Sequence, residues 1–315
     1  MSKRKANLLL LTVAILWGAS YIFVRMAINA GMQSGMINAV RGSMCAVGCL
    51  IVFNKSIRQM TRFDFKAGLL MGITNFIAYY LQTDGLRFTT PAKNAFITTM
   101  YVALSPLLLW IFWHERPRRK TYFVIPLALI GMGVLTNVTA SGLALNYGDL
   151  LTLISSIFWA LQLIFFGKIA SKASSPWVII FMIGLIQGIA GWCVSFTTET
   201  QTFAHIHWLQ ALIPVALLAI LVTFVAQGLQ ITAQKYTDAT LLMLESFFAS
   251  VLSVILGYDS LTHSLIIGGA ILLLANAIMQ TDLHRLSFLK RTNQLHLVPT
   301  IDTLQLSLNQ DFPGS

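Results

Sequence analysis

The sequence is poor in charge and in cysteine. Of its 315 residues, 10% are charged and 56% are hydrophobic, whereas soluble domains carry about 25% charged residues. A soluble chain of this size could not bury so much apolar surface, so an ordinary soluble fold is excluded and a fold that faces lipid is favoured. The three cysteines, Cys45, Cys49 and Cys193, all lie inside apolar segments. They indicate neither a disulfide framework nor a metal site.

Motifs that define several other classes of membrane protein are missing. The sequence has no Gly-x4-Gly-Lys-Ser/Thr loop, and no segment between its apolar runs is long enough for a nucleotide-binding domain, which excludes an ATP-driven pump. It has no His-Glu-x-x-His zinc motif, and none of its six histidines lies deep in an apolar run. We therefore expect no catalytic residue, no metal and no cofactor. A membrane enzyme or a receptor remains the alternative of a different class.

Long apolar runs dominate what is present. Ten of them are each near the roughly 20 residues that a helix needs to cross the hydrocarbon of a bilayer. The predicted fold class is an all-α integral membrane protein with ten transmembrane helices. The predicted spans, numbered 1 to 10, are residues 7–28, 35–53, 66–85, 92–113, 121–138, 148–167, 177–197, 208–232, 239–257 and 263–281.

The basic residues indicate how these spans are oriented. With a cytoplasmic N-terminus, seventeen bases fall in cytoplasmic segments and one, Arg87, falls in an external loop. Because an excess of Lys and Arg marks the cytoplasmic side, we expect a multi-pass protein of the cell membrane with both termini in the cytoplasm. The net charge of +10 comes from short clusters, so nucleic acid is not an expected partner. The predicted cytoplasmic bases are Lys3, Arg4, Lys5, Lys55, Arg58, Arg62, Lys66, Arg116, Arg118, Arg119, Lys120, Lys168, Lys172, Lys235, Arg285, Lys290 and Arg291.

The chain contains two versions of one unit. Residues 8–18 resemble residues 150–160, so that Trp17 in span 1 matches Trp159 in span 6. A unit of five spans is odd, and its second copy must therefore enter the membrane from the opposite side. Inverted repeats of this kind are typical of secondary transporters, whose substrate site lies between the halves. The predicted domains are two five-helix repeats, at 7–138 and 148–281, and a cytoplasmic tail at 282–315.

Three segments of the chain resemble one known family. Residues 16–22, residues 88–106 (beginning Phe-Thr-Thr-Pro-Ala-Lys-Asn-Ala) and residues 239–249 are similar to segments of the drug/metabolite transporter superfamily, EamA-type. The resemblance covers about residues 7–281. It implies ten helices in two inverted repeats and the export of small metabolites or drugs. One departure is that Asp259 stands where the family has a glutamate after span 9, so the resemblance assigns no fixed role to this acid.

Ionisable side chains inside the spans are candidates for a binding site, because each costs about 2.5–3.5 kcal/mol at a helix centre on insertion scales. Glu245 lies among apolar neighbours in span 9; it could bind a cationic group, exchange a coupling proton or make a structural hydrogen bond. Arg41 in span 2 could pair with an acid or line a cavity. Lys93 in span 4 could hold an anionic group, pair with Glu245 or extend to the interface.

Polar and aromatic side chains on repeat-equivalent spans complete the candidate site. Tyr79 and Gln82 share a face of span 3, and Gln227 and Gln230 share a face of span 8. Aromatic rings on spans 1 and 6 could stack on flat or cationic substrates. The full predicted substrate-binding set is Trp17, Tyr21, Arg41, Asn75, Tyr79, Gln82, Lys93, Thr98, Tyr101, Trp159, Gln162, Gln227, Gln230 and Glu245.

These features together favour a secondary transporter of the inner or plasma membrane. We expect it to export small metabolites, such as amino acids or drug-like compounds, by alternating access. A nucleotide-sugar or sugar-phosphate carrier of the same superfamily is the alternative, although such ligands call for more bases than Arg41 and Lys93. The expected partners are a small-molecule substrate and the lipid bilayer, and the sequence leaves proton coupling and a homodimer open.

Overall fold

The computed structural model describes residues 1–137, 146–168, 172–234, 236 and 239–281. Those residues form helices and no strand, which confirms the all-α fold class. Residues 1–279 make one compact unit. The predicted tail, at 282–315, lies outside the described residues, and so does the predicted cytoplasmic base Lys235.

Twelve α-helices occur in the described residues. They are α1 Lys3–Asn29, α2 Ser34–Arg58, α3 Arg62–Leu86, α4 Pro91–Thr98, α5 Tyr101–Trp113, α6 Thr121–Thr136, α7 Tyr147–Lys168, α8 Pro176–Thr198, α9 Trp208–Leu217, α10 Gln227–Gln234, α11 Glu245–Ile255 and α12 His263–Thr281. A π-helical segment, Leu218–Ala226, joins α9 to α10. Two 3-10 segments, Thr200–His205 and Ala239–Leu244, precede α9 and α11.

The described helices coincide in position with the ten predicted spans. Six stretches are long and apolar enough to cross a membrane: Lys3–Asn29, Ser34–Arg58, Pro91–Trp113, Tyr147–Lys168, Pro176–Thr198 and Trp208–Gln230. Three shorter apolar helices correspond to spans 5, 9 and 10: Thr121–Thr136, Leu241–Ile255 and His263–Met279. The less apolar α3, which corresponds to span 3, packs against α7 and α8. The number of helices that cross the bilayer stays a prediction.

Spans 4, 8 and 9 are not regular α-helices throughout, although the sequence predicts unbroken spans. Span 4 divides into α4 and α5 at Thr99 and Met100. The hydroxyl of Thr98 donates to the Asn94 carbonyl at 2.8 Å, and that of Thr99 donates to the Phe96 carbonyl at 2.7 Å. Such hydroxyl bonds compete with the backbone ladder and bend helices. This competition provides a physical reason for the break inside an apolar run.

Glycines bring α2 and α8 into close contact. A Cβ atom on Gly184 would lie 3.0 Å from the backbone nitrogen of Ala46, and one on Gly188 would lie 3.0 Å from that of Ser43. A Cβ on Gly42 would overlap the backbone nitrogen of Gly188. Small residues allow helix backbones to approach closely where lipid gives no hydrophobic drive for association. The α2–α8 pair is therefore a tight central contact between the two halves.

Helix pairing follows the symmetry expected of two repeats. Spans 2 and 7 pack together, and so do spans 4 and 9. Span 1 packs on spans 8 and 9, while span 6 packs on spans 3 and 4. Exchanging each span with its equivalent five places along the chain leaves the pairs 2–7 and 4–9 unchanged and converts the pairs of span 1 into those of span 6. The two-repeat architecture thus appears in the packing as well as in the sequence.

Candidate functional site

A cavity lies among six spans, three from each repeat. In the first half these are spans 1, 3 and 4, and in the second half they are their equivalents, spans 6, 8 and 9. The space between the lining side chains is about 690 Å³, counting the part that opens to solvent. The lining residues are Trp17, Ser20, Tyr21, Asn75, Tyr79, Gln82, Thr98, Tyr101, Trp159, Gln162, Leu163, Phe166, Val222, Gln227, Gln230, Leu242 and Glu245.

The cavity brings together twelve of the fourteen predicted site residues. The two that do not line it are Arg41 and Lys93. Ser20 was missed, although it follows Trp17 by three positions and so shares a helical face with it. The other missed residues are Leu163, Phe166, Val222 and Leu242. Their apolar side chains gave no signal, because in a membrane helix the sequence does not distinguish a cavity wall from a lipid-facing surface.

Glu245 is linked to the first repeat by a chain of hydrogen bonds. The Tyr21 hydroxyl donates to Glu245 Oε1 at 2.8 Å. The Gln82 side-chain amide donates to the Tyr21 hydroxyl at 3.1 Å and to the Thr98 hydroxyl at 2.9 Å. Glu245 is the first residue of α11, directly after the 3-10 segment Ala239–Leu244, and is 6% exposed. Among the described residues, the second carboxylate oxygen, Oε2, has no hydrogen-bond partner.

Several polar atoms around the cavity are buried and have no partner among the described residues. They are Trp17 Nε1, Trp159 Nε1, Asn75 Oδ1 and Nδ2, Gln162 Oε1 and Nε2, and Gln227 Oε1. Buried polar groups almost always have a protein or water partner, and an unpaired one costs about 1–3 kcal/mol. The set includes donors and acceptors from both repeats, and its two indoles are the repeat equivalents that the sequence predicts. A polar ligand or ordered water would satisfy these atoms.

Arg41 lies behind one wall of the cavity. Its guanidinium carbon is 3.9 Å from the centroid of the Tyr79 ring, and its Nε donates to the Thr223 hydroxyl at 2.6 Å. The Tyr79 ring in turn meets the Trp159 ring edge-on, with centroids 4.6 Å apart. Arg41 is 1% exposed, and its NH2 group has no partner among the described residues. Its contacts therefore support the cavity wall at Tyr79 from outside the cavity.

Lys93 does not line the cavity that holds Glu245. It is half-buried near the start of α4 and close enough to Asp149 for the two charges to attract. Within the described part of the chain, no ion pair joins Lys93 to Glu245. The sequence hypothesis that these two residues are partners is therefore not supported.

Polar contacts join the halves at the end of the bundle opposite Phe166. At the start of α7, Asp149 accepts a hydrogen bond from the Thr89 hydroxyl at 2.5 Å. Asp259 accepts one from the backbone nitrogen of Ala92 at 3.0 Å. Each acid thus ties the beginning of α4 to the second repeat. In the topology that the sequence predicts, this end is external, and Phe166 lies near the cytoplasmic end of α7.

Comparison with known proteins agrees with this architecture. The EamA-like transporter family matches residues 4–137 and 146–281. A protein of Archaeoglobus fulgidus described as an uncharacterized transporter is 30% identical over 280 residues, which is 87% of this chain and 85% of that protein. A protein of known crystal structure matches 90% of this chain and 99% of its own, with a TM-score of 0.61 and 16% identity, and so shows the fold alone. The chain therefore belongs to the EamA-like transporter family and is a multi-pass membrane transporter of the drug/metabolite type.

Proposed function

We propose that this transporter exports small metabolites or drug-like compounds across the cell membrane by alternating access, with the cavity as its substrate site. The observation that carries the proposal is the cavity itself, which equivalent spans of both repeats enclose and which holds unpartnered polar atoms from both. A site between two repeats can be exposed to either side of the membrane when one repeat moves against the other.

The contacts at the two ends of the bundle support alternating access. Asp149 binds Thr89 and Asp259 binds Ala92, so these contacts would hold the predicted external end together. The lining residues Phe166, Gln230 and Leu242 lie near the predicted cytoplasmic ends of their spans. This conformation would accept substrate from the cytoplasm. Release outside would require the contacts of Asp149 and Asp259 to break.

The lining of the cavity argues against the nucleotide-sugar alternative. Phosphate groups are usually bound by Arg, Lys or helix N-termini, and the side chains that line the cavity in the described residues include no base. The one charged lining residue is Glu245, whose carboxylate would repel a phosphate. We therefore favour substrates without phosphate, and we propose Glu245 as the group that binds a substrate cation or exchanges a coupling proton.

Comparison of the substitutions Glu245→Gln and Glu115→Gln in one bacterial host tests this function. Mass spectrometry of the medium, across a range of external pH, would identify compounds whose export depends on the wild-type protein. We expect Glu245→Gln to impair that export or to remove its pH dependence, because the substitution keeps size and most hydrogen bonding but removes the charge. Glu115, which pairs with Lys168 away from the cavity, is the matched control.

Membrane levels of both variants should equal those of the wild-type protein. Normal export by Glu245→Gln at every pH would contradict the proposed role of Glu245. If no compound left wild-type cells faster than cells without the protein, the export function itself would be wrong.

A further inference from the structure

The described cavity lining carries a negative charge and no positive charge. Glu245 is its one charged residue among those described, while aromatic rings come from Trp17, Tyr21, Tyr79, Tyr101, Trp159 and Phe166. Resting on the function proposed above, we propose that the substrate class is an aromatic amine without a carboxylate. Its ammonium group would lie against Glu245, and its ring would lie among the indoles of Trp17 and Trp159.

One oxygen of the Glu245 carboxylate could accept hydrogen bonds from an ammonium group. Tyr21 occupies Oε1, whereas Oε2 has no partner in the described structure. Gln227 Oε1, a second unpartnered acceptor, also lines the cavity. An ionised carboxylate in a buried site is costly unless a cation or several hydrogen bonds compensate it. An alkylammonium, with three N–H donors, supplies both forms of compensation.

The aromatic lining favours the same ligand. The faces of Trp and Tyr rings attract cations, by about 2 kcal/mol or more when the cation is desolvated, and they also stack on flat rings. Arg41 already occupies one face of the Tyr79 ring, so only the other face of this ring could stack on a ligand. The indoles of Trp17 and Trp159 come from equivalent places in the two repeats, and their unpartnered N–H groups would bind an oxygen substituent on the ligand ring.

A carboxylate on the ligand would find little compensation in this cavity. The guanidinium of Arg41 stacks on the ring of Tyr79 but does not line the cavity. The indole and amide donors are neutral, and hydrogen bonds between neutral groups are weaker than those of an arginine–carboxylate pair. A ligand carboxylate would also experience the negative charge of Glu245. An amino acid should therefore bind more weakly than the corresponding amine.

Four ligands of similar size separate the contributions of the ammonium group, the aromatic ring and a carboxylate to binding. They are 2-phenylethylamine, 2-phenylethanol, 3-phenylpropionate and phenylalanine, and each would be titrated into purified full-length protein in detergent. Two of the seven tryptophans line the cavity, so quenching of intrinsic fluorescence reports binding. We expect the amine to bind at least about tenfold more tightly than the other three ligands, as coupling energies of close charge pairs imply.

Two substitutions make the test specific. In Glu245→Gln, the amine and the alcohol should bind with similar affinity, while Glu115→Gln should keep the preference for the amine. Equal binding of phenylalanine and the amine, or of the alcohol and the amine, by the wild-type protein would overturn the proposal, even if Glu245→Gln failed to fold. Binding is measured without transport, so such a result would not contradict the export function. Absence of export would in turn not contradict the ligand class.

Discussion

Arg41 is a buried charge without an acid beside it in the described structure. An ion in such a place is costly unless several other interactions compensate it. Here the compensation comes from the Tyr79 ring, at 3.9 Å, and from the Thr223 hydroxyl, at 2.6 Å. Thr223 belongs to the π-helical segment and donates its own proton to the Leu218 carbonyl, five residues earlier. Because π-helical turns often occur at functional sites, we interpret Arg41 as the link between this turn and the cavity wall.

A double-mutant cycle should detect the contact between Arg41 and Tyr79. Arg41→Met and Tyr79→Leu each remove the stacked pair, so their effects on the free energy of unfolding in detergent should be coupled by about 1–2 kcal/mol, since desolvated cation–π pairs reach that size. Chemical unfolding of the wild type, the two single variants and the double variant measures the coupling. As a control, Arg41→Met combined with the distant Glu115→Gln should be additive. Additivity of both pairs would show that the stacking contributes nothing.

The sequence brought together most of the polar and aromatic residues of the cavity, but not the long basic side chains. Amides and aromatics on equivalent spans do lie together. A polar side chain that recurs on one face of a membrane helix is costly in lipid, so that face is expected to point into the bundle. The same reasoning placed Arg41 on the cavity, whereas it lies behind Tyr79. A long side chain can reach around its own helix, and only the packing of the neighbouring helices decides which way it points.

At the scale of helices, the pair α2 and α8 depends on the absence of side chains at its glycines. Gly42 faces the backbone of Gly188, and Gly191 faces that of Ala39. Rigid backbone lies opposite these positions, so an added methyl group could be accommodated only by separating the helices. Helix association in a membrane comes largely from such packing, and the contact joins the two repeats. Its geometry should therefore control the stability of the whole bundle.

Alanine at Gly42 should destabilise the protein, while alanine at Gly133 should not. A Cβ on Gly42 would overlap the Gly188 backbone, whereas one on Gly133, inside α6, would have nothing within 4 Å. We expect Gly42→Ala to cost about 1–3 kcal/mol through overpacking. Gly133→Ala should be neutral or add up to about 1 kcal/mol, because alanine is the better helix former. Thermal unfolding in detergent would measure both, and equal midpoints for the two variants would contradict the packing argument.

The helices themselves were largely predictable, but their irregularities were not. Apolar runs fixed the positions of the spans because length and hydropathy determine what can lie in a bilayer. The break at Thr99 and the π-helical turn at Leu218–Ala226 lie inside such runs, where hydropathy carries no information about backbone geometry. Both irregularities lie in spans that line the cavity. Discontinuous helices are common at transporter binding sites because they free polar backbone groups there.

At the scale of the whole molecule, the cavity follows the repeat. Its walls come from the equivalent pairs of spans 1 and 6, 3 and 8, and 4 and 9, while spans 2 and 7 hold the halves together beside it. Each wall of the first half therefore has a counterpart in the second. If the repeats are inverted, the two counterparts meet the membrane from opposite sides. A rocking motion could then interchange their roles and produce an outward-open state from the state described here.

The inverted arrangement requires a fixed orientation, which cysteine labelling can test. The distribution of bases places the loop of Arg116 in the cytoplasm and that of His207 outside, and both residues are exposed. Cysteine would be introduced singly at each position in a protein from which Cys45, Cys49 and Cys193 have been removed. A membrane-impermeant maleimide applied to intact cells should label the cysteine of His207→Cys, and it should label that of Arg116→Cys only after the membrane is opened.

The reverse pattern would mean that the protein has the opposite orientation in the membrane, so that the end of the cavity assigned here to the cytoplasm would face the outside. Labelling of both positions from outside would mean that the number of spans between them is even, and the alternation on which the inverted repeat depends would be lost.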